Sequence, residues 1–398
     1  MNLGSSALKN AGHKVYMLHS EEKWQIDREI YSGELVLPPL FDRRSYSDPS
    51  QLPVSLQKVR TFVKDFNIDV LHVQGWPRTS ALSQLISELP VVATTHVALC
   101  PNSSRYMWKE RSVCDRSIGA GCFTTGYMKC GCGYLGNGRP YSVPAFLRSM
   151  YEDNLFRRTL AKCACIIAPS GWIKRRLSAD GFDKSMVTVL QPPIAGLEDD
   201  SFEKQDRVET PDVPVILYVG RLTDFKGPDQ VLRASSMIKQ NHVVWMIGEG
   251  PTKANLEELA ESLGIASRVK FLGSMNPEEI NKYRRVSTVV AVPSLWPDNF
   301  PMVGPEAMLV RKPVVAYNVG GISEWLSDGE TGRLIPAKDV TAFASALEQI
   351  ISDPAMAKQM GDRALEKASQ WSPEKHGARL EKIYESAISI KMIGDKSC

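Results

Sequence analysis

The sequence lacks any apolar run approaching the ~18 to 20 residues needed to cross a bilayer. Its first residues, MNLGSSALKNAGHK, also lack the apolar segment of a secretory signal. These two absences place the expected protein in the cytoplasm. An excess of charge is missing too: 48 Lys and Arg face 45 Asp and Glu, a net of +3. A nucleic-acid binder displays a larger or more clustered basic excess, so no nucleic-acid partner is expected. Eight cysteines in 398 residues do not make a disulfide scaffold. There is no internal repeat and no low-complexity tract, and a chain 43% hydrophobic and 23% charged is neither disordered, collagenous nor a coiled coil. What remains is an ordinary globular protein, long enough for two domains with separate cores.

From Pro214 onward, short apolar runs alternate with amphipathic stretches. VILYVG (215–220), HVVWMIG (242–248), RVKFLG (268–273), STVVAVP (287–293) and PVVAY (313–317) read as strands, with helical segments such as NLEELAESLG between them. Near-continuous apolar strands followed by helices are the pattern of a parallel sheet covered on both faces, so this half is predicted to be a doubly wound α/β domain. The first half repeats the pattern less cleanly in HKVYML (13–18), IDVLHV (68–73), PVVATTH (90–96), CACIIAPS (163–170) and MVTVL (186–190), with a helix expected around 144–160. The acidic, Pro-bearing stretch 191–214 has no sustained period and reads as a linker or excursion between domains. Domains are therefore expected at 1–192 and 193–373, facing a cleft. Ser372 and Pro373 open a long terminal helix, at 374–398, expected to pack back toward the first domain.

Three loops in the second half carry chemistry. YVGRLTDFKGPD ends a strand and opens a helix, and it places Gly220, Arg221 and Lys226 where two cations and a helix N-terminus suit a diphosphate; a solvated basic loop is the alternative. In PDNFPMVGPEAM, Asp298 and Glu306 are separated by seven residues, and the turn Asn299, Phe300, Pro301, Met302, Val303 leads into a helix whose first amides lack intrahelical partners. An ionised carboxylate presents two acceptor oxygens that match vicinal diols, although acidic residues in a first helical turn also favour the helix dipole on their own account. Gly320 and Gly321 stand between PVVAY and the next helix, where glycine allows close backbone approach to an anion. No single alternative explains all three loops together.

Taken in order, VGRL…KG, IGEGP, VKFLG, PEAM, PVVAYNVGG and DGETGRLIP, from Leu217 to Asp353, resemble the retaining glycosyltransferases of the GT-B fold, family four. The resemblance extends more loosely to both ends. It implies two Rossmann-like domains, the second holding a nucleotide diphosphate sugar and the first the acceptor, with transfer that keeps the anomeric configuration and requires no metal or other cofactor. Carried over by position, Arg221 and Lys226 would bind the diphosphate and stabilise the leaving group, Glu306 would bind the ribose hydroxyls, and Asp298 would hold a hydroxyl of the donor sugar. His96 falls where the family places a His near the reacting carbon; at a strand end it is otherwise a hydrogen-bonded structural residue.

Three features depart from the pattern. The family has Glu where this chain has Asp298, a shorter side chain that would shift sugar preference or weaken donor binding. Val97 follows His96 where many members have Asp. Roughly twenty residues of a first strand and Gly-rich loop are expected to be missing before AGHKV, at 11–15. The Cys-rich insertion at about 100–135 holds Cys100, Cys114, Cys122, Cys130 and Cys132, a set read either as a structural zinc site or as free or redox-active thiols. Cys163 and Cys165 are expected on one face of a strand, in the core. The run KRR at 174–176 reads as a solvated helix face, or as a contact with anionic lipid at the inner face of the membrane. Trp76, Trp108 and Trp172 are expected in the core rather than stacked on sugars.

The reading is a glycosyltransferase moving a hexose from a nucleotide diphosphate sugar to a saccharide or lipid-linked acceptor, in polysaccharide or glycoconjugate synthesis. Its rivals are a degenerate GT-B protein acting as a scaffold and a nucleotide-sugar epimerase.

Overall fold

The computed structural model describes residues 2–19, 29–37, 51–75, 78–96, 106–107, 112–114, 116, 122, 143–194, 208 and 210–396. The chain forms two compact units. One comprises residues 1–105, 115–193 and 373–398; the other comprises Tyr106–Cys114 and Ile194–Ser372.

In the first unit, β1 (Tyr16–His19) and β2 (Gly33–Val36) form a parallel pair. A four-stranded parallel sheet runs β3 (Leu71–Gln74), β4 (Val91–Thr94), β7 (Cys165–Ala168), β8 (Val187–Val189). Every residue of β4 is buried, which is why VVAT carries no polar alternation. The helix Pro373–Lys396 belongs to this unit, and Leu380 and Ala387 complete a core with Leu8, Val92, Ile167 and Leu190. Each fully buried Leu, Ile or Val contributes about 1.5–3 kcal/mol. The expected helix at 144–160 is Val143–Leu160. Cys163 is buried but lies in the turn before β7, its amide bonded to the Leu160 carbonyl. The shared-strand expectation for the two cysteines therefore fails, because the strand begins only at Cys165. Burial pushes the Cys163 thiol up to about 12.

In the second unit, six parallel strands run in the order β11 (Val269–Gly273), β10 (Val243–Ile247), β9 (Val215–Val219), β12 (Val289–Val292), β13 (Val314–Tyr317), β14 (Gly332–Ile335). The chain leaves β9 toward β10 on one side, and later returns to pair β12 on the other. The direction of strand addition thus reverses beside β9, and the carboxyl ends of β9 and β12 flank the crevice where such sheets bind ligands. Between β4 and β7 in sequence, β5 (Tyr106–Met107) and β6 (Ser112–Val113) form an antiparallel pair that is part of this second unit. Among the described residues, no helix is long and apolar enough to cross a membrane.

Candidate functional site

The loops after β9 and β12 are locked together by their backbones. The Phe225 carbonyl accepts from both Leu295 N (2.9 Å) and Trp296 N (3.1 Å). Gly227 has φ +67°, and a Cβ there would penetrate the Pro293 carbonyl. Only glycine permits both the left-handed backbone and this approach. It also ends the short 3-10 turn Asp224–Lys226 and starts the helix Pro228–Met237, whose Pro228 sits in the first turn. The result is a fixed frame carrying Arg221 and Lys226 on one side and Asp298 on the other.

Across that frame the Lys226 ammonium pairs with Asp298 Oδ2 at 2.6 Å, and Ser294 Oγ donates to the same oxygen at 3.0 Å. Both side chains are largely enclosed, at 25% and 17% exposure. One of the three ammonium N–H groups is used by Asp298, which leaves two for another anion. Arg221 is exposed, with its guanidinium 5.5 Å from the centre of the Phe225 ring. Gly220 amide nitrogen donates to the Ile247 carbonyl at 3.0 Å.

Glu306 lies in the helix Val303–Leu309, which no side chain caps. Its Oε2 is held by Arg284 of the helix Pro277–Val286, a guanidinium only 6% exposed. Burial lowers the Arg284 pKa, and Glu306 works against that shift. The Glu306 side chain is 36% exposed, so its other oxygen remains open to polar ligands. Arg284 was not foreseen in the sequence. The available signal was its position four residues after Ile280, on the stripe that also carries Tyr283, where a surface arginine would not stand.

The remaining expected residues divide. Gly320 and Gly321 do allow a close approach, but to their own chain: Gly321 N donates to the Asp298 carbonyl at 2.8 Å, and a Cβ on Gly320 would penetrate the same carbonyl. They set the position of Asp298. Phe300 is buried with its ring 5.3 Å from that of Trp371, while Met302 and Val303 pack against the core. Asn299 and Pro301 are half-buried in the turn.

His96 belongs to the first unit, two residues after β4. Its Nε2 meets Gln74 Oε1 at 2.7 Å; Gln74 Nε2 meets His72 Nε2 at 3.1 Å; and His72 Nδ1 meets the Tyr384 hydroxyl at 2.6 Å. The Thr94 hydroxyl also meets His72 Nε2, at 2.7 Å; with Gln74 oriented as an amide donor, both groups donate to that nitrogen, which assigns the His72 proton to Nδ1. In the same chain His96 donates from Nε2 and keeps Nδ1 as an acceptor. Desolvation is the first cause lowering both histidines, and it holds His72 at about 3.

Of the cysteine set, Cys114 is buried and Cys122 half-buried; Cys100, Cys130 and Cys132 lie outside the described residues, as do Trp76 and Trp108. Among the described residues no group of three His, Cys, Asp or Glu side chains is placed to hold a metal. Trp172 is buried, and Lys174 and Arg175 border a shallow depression with Lys184.

Comparison with known proteins matches both halves. The family described as Glycosyltransferase Family 4 matches residues 5–195, and Glycosyl transferases group 1 matches residues 199–367. D-inositol 3-phosphate glycosyltransferase of Corynebacterium diphtheriae is 39% identical over 185 residues, covering 44% of this chain and 43% of that protein. The protein of the same name from Nocardia farcinica is 31% identical over 224 residues, covering 52% and 49%. The chain thus spans about half the length of the curated relatives it matches. Among solved structures, HepE of Anabaena in complex with UDP has a TM-score of 0.67 at 18% identity, covering 94% of this chain and 100% of that one. Sucrose-phosphate synthase of Thermosynechococcus elongatus has a TM-score of 0.68 at 20% identity, covering 98% and 92%. Such identities establish the fold, with two Rossmann-like domains.

Proposed function

Because the chain belongs to the GT-B glycosyltransferases, joining a family 4 half to a group 1 half, we propose that it transfers a hexose from a nucleoside diphosphate sugar to a hydroxyl of a saccharide or lipid-linked acceptor, with retention of anomeric configuration. The observation that carries this reading is the frame formed by the loops after β9 and β12, which brings Arg221, Lys226 and Asp298 to one crevice edge. Arg221 and Lys226 bind the diphosphate. Glu306, steadied by Arg284, accepts hydrogen bonds from the ribose. Asp298 accepts from a sugar hydroxyl through Oδ1, since Lys226 and Ser294 both address Oδ2.

In the transfer itself, the bond between the anomeric carbon and the diphosphate oxygen breaks while the acceptor oxygen forms its bond on the same face. The acceptor proton passes to the departing oxygen, so no enzymic nucleophile is consumed. Negative charge growing on the diphosphate is met by the two cations, the kind of stabilisation worth several kcal/mol in other enzymes. Neither a metal nor another cofactor is required in this reading. The family resemblance assigns His96, in the first unit, a part in the transfer. The basic face at Lys174 and Arg175 would meet anionic lipid if the acceptor is lipid-linked.

UDP-sugars are the first donors to test, since HepE, of the same fold, was solved with UDP. Incubating the protein with a panel of nucleotide hexoses and candidate acceptors, and determining the anomeric configuration of the product by NMR, tests the whole reading. An inverted product overturns retention; epimerised sugar nucleotide without acceptor points to the epimerase; binding without transfer or hydrolysis points to the scaffold.

A further inference from the structure

The segment that interrupts the first unit contributes the antiparallel strands β5 and β6 to the second. Tyr106, in β5, is 1% exposed, and its ring centre lies 5.2 Å from that of Trp296 in the loop after β12. Trp296 lies 5.3 Å from Phe225, and Phe225 carries the Arg221 guanidinium at 5.5 Å. Phe225 is also the residue before Lys226. Two rings, Trp296 and Phe225, therefore connect a buried tyrosine of the insertion to the exposed arginine of the loop after β9.

The backbone runs the same way. Trp296 N and Leu295 N both donate to the Phe225 carbonyl, and Asp298 N donates to the Trp296 carbonyl at 2.7 Å. Trp296 is thus bonded on one side to the residue flanking Lys226 and on the other to the residue pairing with Lys226. Its indole is only half-buried, and Tyr106 supplies a face against which it packs. Tilted aromatic pairs of this kind each contribute about 0.5–1.5 kcal/mol beyond the area they bury. An exposed arginine has many rotamers, and stacking on a fixed ring narrows them.

We propose that Tyr106 is a positioning residue for the diphosphate loop, acting through Trp296 and Phe225 to hold Arg221. The proposal rests on the donor-site reading given above. It assigns the insertion a part in donor binding separate from any metal or redox role of its cysteines.

The test uses the full chain and UDP as probe. Tyr106→Ala should weaken UDP binding roughly three- to tenfold, the worth of one ring pair, while Tyr106→Phe, which keeps the ring, binds as wild type. Trp296→Leu should weaken binding at least as much, and adding Tyr106→Ala to it should weaken binding no further. Transfer by Tyr106→Ala should show a raised KM for the donor sugar and a smaller change in kcat. A second measurement needs no nucleotide: the Arg221 Nε–H resonance, assigned from its loss in Arg221→Lys, should shift in Tyr106→Ala and stay in place in Tyr106→Phe. An unmoved Arg221 resonance, UDP binding unchanged in Tyr106→Ala, or additive effects of the two substitutions would overturn the proposal. If wild-type protein binds no UDP yet the Arg221 resonance shifts as expected, the aromatic linkage stands and the choice of UDP as donor nucleotide falls.

Discussion

Lys226 and Asp298, 72 positions apart in the chain, meet in an ion pair of 2.6 Å across the loops that follow β9 and β12. Two residues to which the sequence assigned separate tasks, one on the diphosphate and one on the sugar, therefore share a contact. The position of each depends on the other.

Lys226→Ala should lower transfer by about ten- to a thousand-fold, as loss of a charge facing a leaving group does. Asp298→Asn should also lower it, and the double variant should fall short of the product of the two losses, since each substitution already disturbs the other group. Initial rates for the four proteins supply kcat/KM. Losses that multiply would show that the two groups act independently.

The Arg284–Glu306 pair is asymmetric, with a buried cation and a half-exposed carboxylate. Glu306→Leu leaves the guanidinium unpaired in the protein interior and should cost about 3 kcal/mol of stability. Arg284→Leu should cost less, because water can reach Glu306. Both should weaken nucleoside diphosphate sugar binding, by roughly 1.5–3 kcal/mol for loss of the carboxylate. Urea unfolding and titration calorimetry separate the two effects, and equal stability losses would contradict the asymmetry.

Gly227 and Gly264 have nearly the same backbone, with φ of +67° and +68°, but a Cβ would strike the Pro293 carbonyl at Gly227 and nothing within 4 Å at Gly264. Gly264→Ala should cost about 1 kcal/mol, from the left-handed backbone alone. Gly227→Ala should cost at least about 2 kcal/mol more, since one loop must move off the other. It should also abolish nucleotide binding. The comparison is made by thermal unfolding, and equal costs would mean the loops are not locked.

His72 is held neutral by burial, with a folded pKa of about 3 against an ordinary value of 6.5. Below pH 6.5 the unfolded chain takes up a proton that the folded protein refuses, so stability falls with pH, by roughly 1.4 kcal/mol per unit from this group, until about pH 3. His96, His242 and His376 are lowered too, which adds slope of the same sign. Unfolding free energies measured between pH 7 and 4 should show a shallower fall in His72→Gln. An unchanged slope would relocate the effect.

The strands β9, β10, β12 and β13 were legible because each is a short apolar run buried on both faces, whereas β11, half-buried at the sheet edge, was legible from its apolar residues alone. β14, Gly332–Ile335, escaped notice: it pairs only with β13 at the sheet edge, and GRLI mixes glycine and arginine into the run. The charged loops were legible as a set because they follow successive strands. Their internal pairings were not, since nothing local connects Lys226 to Asp298 or Arg284 to Glu306. Gly320 was noticed for a close approach, but the partner of that approach was invisible. The histidine chain through Gln74 needed two residues of β3, one from just past β4 and one from the terminal helix, a combination no local spacing announces.

The helix Pro373–Lys396 supplies Leu380 and Ala387 to the first unit, yet follows the whole of residues 194–372 in sequence. During synthesis, the second unit therefore leaves the ribosome before the first can close its core, and folding need not follow the order of translation. Until that helix emerges, the core of Leu8, Val92 and Ile167 lacks the part that Leu380 and Ala387 supply. A released chain ending at residue 372 would hold the whole sequence of the second unit and lack part of the first unit's core.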